Sequence, residues 1–346
     1  MFGFSSSKDM GIDLGTANTL IYIKDKGVVL NEATCIAYDK RSQKIIATGT
    51  KAKAMYGKAP KEIVVIRPLQ DGVISDFDLT AEMLERFIKQ ALDEKNPSGF
   101  RVAIGVPSGV TEVEKRAVDE VVRDLGAREV YILDEPTAAA IGAGLDIDDS
   151  EASMIADIGG GTCDIAILAL GGIVVSTSLR YAGDKFNEAI IGYVRKKKGV
   201  LIGEKTAEEL KIRVGSAMVE KDEEGKEILR TMSARGRDLI SGLPKEFKCT
   251  NKDMEAALHE SMEMIVDAIK NTVEKAPPEI AADIADRGMM LTGGGAMIEN
   301  LDKLISQKTS MSVGIAEQPY EAVAIGTGKS LDDIEKLELY ASDKKR

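Results

Sequence analysis

Two aspartates sit in matching surroundings far apart in the chain. Gly11-Ile12-Asp13-Leu14-Gly15-Thr16 leads into the apolar run Leu20-Ile21-Tyr22-Ile23, and Ile155-Ala156-Asp157-Ile158-Gly159-Gly160-Gly161-Thr162 leads into Ile165-Ala166-Ile167-Leu168. Each reads as strand, carboxylate, tight glycine turn, strand. Glycine turns let backbone N–H groups approach phosphate oxygens without an intervening Cβ. One carboxylate from each hairpin, Asp13 and Asp157, can hold a hydrated Mg²⁺, an ion that keeps several waters and takes few protein ligands. The chemistry this pattern allows is the clamping of a nucleoside triphosphate.

Two further motifs fit that chemistry. Glu135 precedes Pro136 at a strand-to-helix junction, where its carboxylate either serves the helix dipole or orients an attacking water, with Thr162 as a second partner for that water. Gly293-Gly294-Gly295-Ala296-Met297 follows a strand, so its amides can pack against a flat base or a phosphate. Glu208 and Lys211 follow a Thr206-x-x-Glu209 string that reads as a capping box. Glu208 either meets a ribose hydroxyl or lies on a solvated face.

The elements positioning these residues repeat. Asp134-Glu135-Pro136-Thr137-Ala138-Ala139-Ala140-Ile141-Gly142 resembles Glu317-Gln318-Pro319-Tyr320-Glu321-Ala322-Val323-Ala324-Ile325-Gly326. Asp13 and Asp157 lie 144 positions apart, too far for a solenoid repeat and suited to a duplicated domain. Glu135 follows Asp13 by 122 positions and Gln318 follows Asp157 by 161, which leaves room for a larger insert in the second half. Strands at 102–106, 131–133 and 289–292 alternate with helices at 79–92 and from Thr111-x-x-Glu114 to about 125, so the fold class is α/β. With no Gly/Ser/Pro linker, the two halves are expected to pack around a cleft.

Composition excludes much else. The 346 residues carry 46 Lys plus Arg against 57 Asp plus Glu, a net charge of -11, which argues against nucleic acid as a partner. Cys35, Cys163 and Cys249 are odd in number and scattered, and the single His259 sits in a core-facing helical pattern, so a disulfide framework, a zinc ribbon and a Ser-His-Asp hydrolase are all disfavoured. The most apolar stretch, residues 165–175, is too short to span a bilayer, and a cytoplasmic protein is expected. Gly326-Thr327-Gly328-Lys329-Ser330 ends like a P-loop but lacks the first glycine, since Val323 stands there. Residues 195–198, Arg-Lys-Lys-Lys, read as a solvated basic run.

Taken together, the hairpins, Glu135-Pro136 and the Gly293 turn resemble the actin superfamily of actins, sugar kinases and heat-shock chaperone ATPases. Asn18-Thr19-Leu20-Ile21-Tyr22, Arg67-Pro68-Leu69-Gln70-Asp71-Gly72-Val73-Ile74, Gly105-Val106-Pro107-Ser108-Gly109, Gly203-Glu204-Lys205-Thr206-Ala207-Glu208 and Gly236-Arg237-Asp238-Leu239 narrow the resemblance to the MreB family of bacterial actin homologues, essentially from end to end.

The resemblance implies an actin-like duplicated ATPase fold, two lobes of two subdomains around a cleft for ATP and Mg²⁺. Subdomain IA would take 1–30, 69–138 and 318–346, IB 31–68, IIA 139–180 and 246–317, and IIB 181–245. Thr16, Ala17, Asn18, Gly160, Gly161, Thr162, Glu208, Glu209, Leu210, Lys211, Gly294, Gly295, Ala296 and Met297 would meet nucleotide, and Glu135 with Thr162 would place the hydrolytic water. Partners implied are further copies of the chain in paired protofilaments, the inner face of the cytoplasmic membrane and cell-wall elongation proteins. Cys163 and Asp164 follow Thr162 where many members have Thr and Glu. Phe2, Phe4 and Phe100, the last at the end of the loop Asn96-Pro97-Ser98-Gly99, would touch the membrane. A small-molecule kinase, a chaperone-like switch and a non-wall paralogue are the alternatives on this fold.

Overall fold

The computed structural model describes residues 8–70, 72–95, 97–107 and 110–340. Two five-stranded sheets repeat one design. In the first, Gly27–Ala33, Asn18–Ile23, Asp9–Leu14, Phe100–Val106 and Ala127–Asp134 lie side by side; in the second, Gly172–Leu179, Cys163–Ala169, Ser153–Ile158, Met289–Thr292 and Val313–Ile315 do so in the same order. The first three strands of each set are antiparallel neighbours and the last two join in parallel. Ser153–Ile158 and Cys163–Ala169 are buried along their whole length, which is why, apart from Asp157 and Asp164, they read as apolar runs with no alternation.

Helices cover the sheets through the expected stripes. Phe77–Leu92 is capped by the Asp76 side chain, which accepts from Leu79 N, and it buries Met83, Leu84, Phe87 and Ile88 against Ile12, Val102 and Ile104. Glu112–Asp124 opens with the Thr111/Glu114 capping box anticipated from sequence. In the second half, Asn251–Glu274 packs Met254, Leu258, Ile265 and Ile269 into the core and leaves His259 exposed.

A small sheet follows the third strand of each large one. Ile36–Asp39, Lys44–Thr48 and Ile63–Ile66 form the first, with the short helix Gly49–Lys53 closing a core of Cys35, Ala37, Ala47 and Ala52. Val200–Leu201, Thr231–Asp238 and Pro244–Thr250 form the second, beside helices Gly183–Lys198 and Glu204–Val214. The second insert is the longer one, as the spacing of the repeated motifs predicts.

Helices Glu135–Gly142 and Ala322–Ser330, the repeated acid/amide-Pro segments, pack directly on one another between the sheets. They touch backbone to backbone: a Cβ on Gly142 would lie 1.9 Å from Ala322 O, and one on Gly326 1.7 Å from Ala138 O. The P-loop lookalike is therefore the tail of a packed helix, with no loop to hold a phosphate. Gly326→Ala is expected to cost about 3 kcal/mol, the upper end of overpacking, because a carbonyl cannot move aside as a side-chain tip can. A urea titration measures this, and an unchanged midpoint would show that the crossing has slack.

Two expectations fail here. Phe100 is the first residue of its strand, paired with Ala127, and is fully buried in the first core, so it cannot meet a membrane. Its neighbour Arg101 faces the other way and binds Asp9 through Nε at 2.8 Å. Phe2 and Phe4 lie outside the described residues. The Thr206-x-x-Glu209 string is not a capping box either. Glu204–Val214 starts three residues earlier than that box requires, with Gly203 in the N-cap place, so Thr206 sits inside its first turn.

Candidate active site

The two hairpin turns meet. A Cβ on Gly160 would come within 2.5 Å of Ala17 Cβ, and one on Gly161 within 2.7 Å of Thr16 Oγ1, so the turns are in close apposition only because the second is built of glycine. Between them and the helices Gly183–Lys198 and Glu204–Val214 opens a cavity of about 470 Å³. Asp13, Thr16, Ala17, Asn18, Glu135, Asp157, Gly160, Gly161, Thr162, Glu208, Lys211, Gly294, Gly295 and Met297 all line it. The repeat thus brings together residues up to 284 positions apart, from Asp13 to Met297.

Three sequence-predicted residues lie away from the cavity. Leu210 and Ala296 are fully buried in the second core, and Glu209 turns toward Lys205, 3.9 Å away. The reason is helical periodicity: Glu204–Val214 offers Glu208, Lys211 and Ile212 to the cavity, while the positions between them rotate off that face.

The turn's carbonyls are already engaged. Gly159 N donates to Thr162 O at 2.9 Å, Asp184 N to Gly160 O at 2.8 Å and Gly183 N to Gly159 O at 3.2 Å. Among the described residues, the N–H groups of Gly160 and Gly161 donate to no backbone carbonyl, which leaves them for an anion. Thr16 Oγ1 accepts from Gly72 N at 3.1 Å and so fixes the first turn to the segment after Leu69–Gln70.

The floor is acidic. Asp157 stands opposite Asp164 in the hairpin register, both nearly inaccessible to solvent. Burial, with Asp157 nearby, pushes the Asp13 carboxyl up to about 8; burial, with Asp164 adding and Thr292 opposing, pushes Asp157 up to about 7. Burial and then the charges of Asp164, Asp13, Asp157 and Asp134 hold Glu135 well above the usual glutamate range. Among the described residues, Asp157 Oδ1 is buried and has no hydrogen-bond partner. Such an orphaned carboxylate oxygen beside a second carboxyl suits a hydrated divalent cation. Among the described residues, no group of three His, Cys, Asp or Glu side chains is placed to hold a metal ion by itself.

Sequence reasoning missed part of the lining. Arg67, Gly183, Asp184, Phe186, Pro319 and Tyr320 also face the cavity. Tyr320 sets its ring 3.4 Å from where a Gly294 Cβ would stand, and Pro319 O accepts from Gly293 N at 2.7 Å. The second copy of the acid-Pro motif has Gln318 in place of Glu135 and serves to fasten the Gly293 turn. Only the first copy supplies a buried acid.

Comparison with known proteins agrees with this geometry. The family described as MreB/Mbl protein matches residues 7–339. The cell shape-determining protein Mbl of Bacillus subtilis is 47% identical over 331 residues, 96% of this chain and 98% of that one. The cell shape-determining protein MreB of Escherichia coli K12 is 47% identical over 335 residues, 95% and 94% of the two chains. Among solved structures, MreB5 of Spiroplasma citri bound to ADP superposes with a TM-score of 0.89 at 37% identity, covering 96% of this chain and 98% of that one. Its AMPPNP-bound form gives 0.87 at 36% identity with the same coverage.

Proposed function

The chain belongs to the MreB/Mbl family, and from that premise we propose that it is an actin-like cytoskeletal ATPase whose filaments organise cell-wall synthesis and cell shape at the inner face of the cytoplasmic membrane. The observation that carries this reading is the meeting of two carboxylate-bearing glycine turns, Asp13 to Ala17 with Asp157 to Thr162, in one cavity. The ADP- and AMPPNP-bound relatives support a nucleotide as its occupant.

In this reading the amides around Thr16, Ala17 and Asn18 and around Gly160, Gly161 and Thr162 take the phosphates. Glu208 and Lys211 face the ribose. Gly294, Gly295, Met297 and the Tyr320 ring take the base. Asp13 and Asp157 would hold Mg²⁺, which when bound supplies positive charge to offset the carboxylates and polarise the terminal phosphate. Glu135 orients the attacking water and accepts its proton, and Thr162 gives that water its second hydrogen bond. Helices Glu135–Gly142 and Ala322–Ser330 link the two sheets, so a ligand touching both turns fixes the angle between the halves. A filament can then select one angle over another. No helix of the described residues is long and apolar enough to cross a membrane. In this reading attachment at the bilayer is peripheral, with Phe2 and Phe4 as the residues that touch it.

Sedimentation and electron microscopy of the purified protein with ATP and Mg²⁺ test the reading. Paired filaments that pellet, with phosphate released into solution, are expected. Non-pelleting protein that phosphorylates a sugar would favour a small-molecule kinase on the same fold and overturn the cytoskeletal reading.

A further inference from the structure

The mouth of the cavity is bridged by charges that phosphate binding does not use. Lys53 ends the helix Gly49–Lys53, and its Nζ lies 2.9 Å from Glu208 Oε2. Arg67, one residue past Ile63–Ile66, donates from Nη1 to Asp184 Oδ2 at 2.7 Å and from Nη2 to Glu204 Oε1. Both cations come from the first insert and all three carboxylates from helices of the second. The Arg67 side chain is 24% exposed and its two partners 27% and 31%, so this fork is better shielded than an ordinary surface pair. A planar guanidinium spanning two carboxylates also fixes their relative position, which a single lysine cannot do.

The bridge reaches the nucleotide-lining residues directly. Asp184 accepts from Arg67 through its side chain while its backbone N–H braces Gly160 O. Glu208, gripped by Lys53, faces the cavity itself. We propose that Lys53 and Arg67 are positioning residues, a cross-cleft clasp that holds the two inserts shut over the nucleotide and sets the rate at which the diphosphate leaves. The proposal rests on the nucleotide reading above. Opening the cleft must part all three ion pairs, whereas hydrolysis parts none of them, so release is the step the clasp governs.

Stopped-flow release of a fluorescent ADP from the full chain tests it. At low salt, Arg67→Ala is expected to release about tenfold faster and Lys53→Ala about twofold, in line with their shielded and exposed settings. Arg67→Lys should fall between wild type and Arg67→Ala. Raising KCl from about 50 to about 500 mM should speed wild-type release and leave the double alanine variant nearly unchanged, because only ion pairs are screened. Equal release from wild type and the double variant at low salt overturns the clasp.

If wild type retains no ADP, the nucleotide reading fails instead. The clasp is then decided on nucleotide-free protein by the distance between spin labels on Lys44→Cys and Lys226→Cys, exposed positions on the two inserts in a chain whose own three cysteines are buried. Arg67→Ala should lengthen that distance, and an unchanged distance overturns the proposal.

Discussion

Glu135→Gln is expected to slow phosphate release by about 10²- to 10⁴-fold while leaving ATP binding and ATP-driven pelleting intact, the range that loss of a general base produces. Glutamine suits the test because of the surrounding electrostatics. Glu135 is 5% exposed, and burial together with Asp164, Asp13, Asp157 and Asp134 raises the carboxylate's affinity for a proton, which strengthens it as a base. The neutral amide keeps the carboxyl's shape and adds no charge to this acidic floor, so binding should be spared. What the amide cannot do is accept a proton. Quenched-flow single turnovers measure the chemical step apart from product release. A cleavage rate equal to wild type would remove Glu135 from the role assigned here, and a parallel loss of ATP affinity would make it a binding residue. Thr162→Ala should show a milder defect, since it removes one of the water's partners and leaves the base.

Glu135 stands out in the amino-acid sequence because its signature is local. Strand, acid, proline and an Ala-rich helix are consecutive, and the second copy with Gln318 and Pro319 sets the frame. The hairpins are legible for the same reason: a carboxylate, a glycine turn and two apolar runs lie within about a dozen positions. Duplication then implies that both turns belong to one site, which spacing alone cannot do.

The clasp is not legible in this way because Lys53, Arg67, Asp184 and Glu204 carry no pattern among themselves. They are joined only when two inserts, each folded on its own small sheet, face one another. Phe100 misleads for a related reason. The preceding Asn-Pro-Ser-Gly string reads as a loop, yet Phe100 alternates with Val102 and Ile104 toward the core while Arg101 answers Asp9. That period of two is the signal that marks it as core. In Glu204–Val214 the loop-like Gly203 starts the helix without a side-chain cap, and every assignment built on Thr206 moves with it. Leu210 and Glu209 leave the site because a run of four adjacent residues cannot all face one cavity from a helix.

In the nucleotide-free protein the thermal midpoint is expected to fall as pH rises from about 5.5 to about 7.5, and Asp13→Asn is expected to flatten that fall. A carboxyl with a higher pKa in the folded chain than in the unfolded one keeps its proton longer when folded. The stability this confers is present in full below the unfolded value of 3.8. It is lost as pH climbs toward about 7 for Asp157 and about 8 for Asp13, and it is constant above that. Each such carboxyl contributes about 1.4 kcal/mol per pH unit inside the window, and the partial exposure of Asp13 to the cavity reduces the pair's total over two units to roughly 3 kcal/mol. Glu135 acts in the same sense. Backbone and side-chain hydrogen bonds hold Asp39 and Asp149 below their ordinary values, and against its own partial burial they do the same for Asp253. These three act in the opposite sense, but only below the ordinary carboxylate range and so outside the window. Asp13→Asn removes one titrating group, so a distinct part of the slope should go with it, while Asp157, raised by its own burial and Asp164, and Glu135 keep the rest. Magnesium and nucleotide added together should raise the wild-type midpoint more at the upper end of the window than at the lower, because a cation is held by carboxylates and not by carboxylic acids. Identical slopes in wild type and Asp13→Asn would mean that the two acids do not share one buried floor, and the proposed metal position would fall with them.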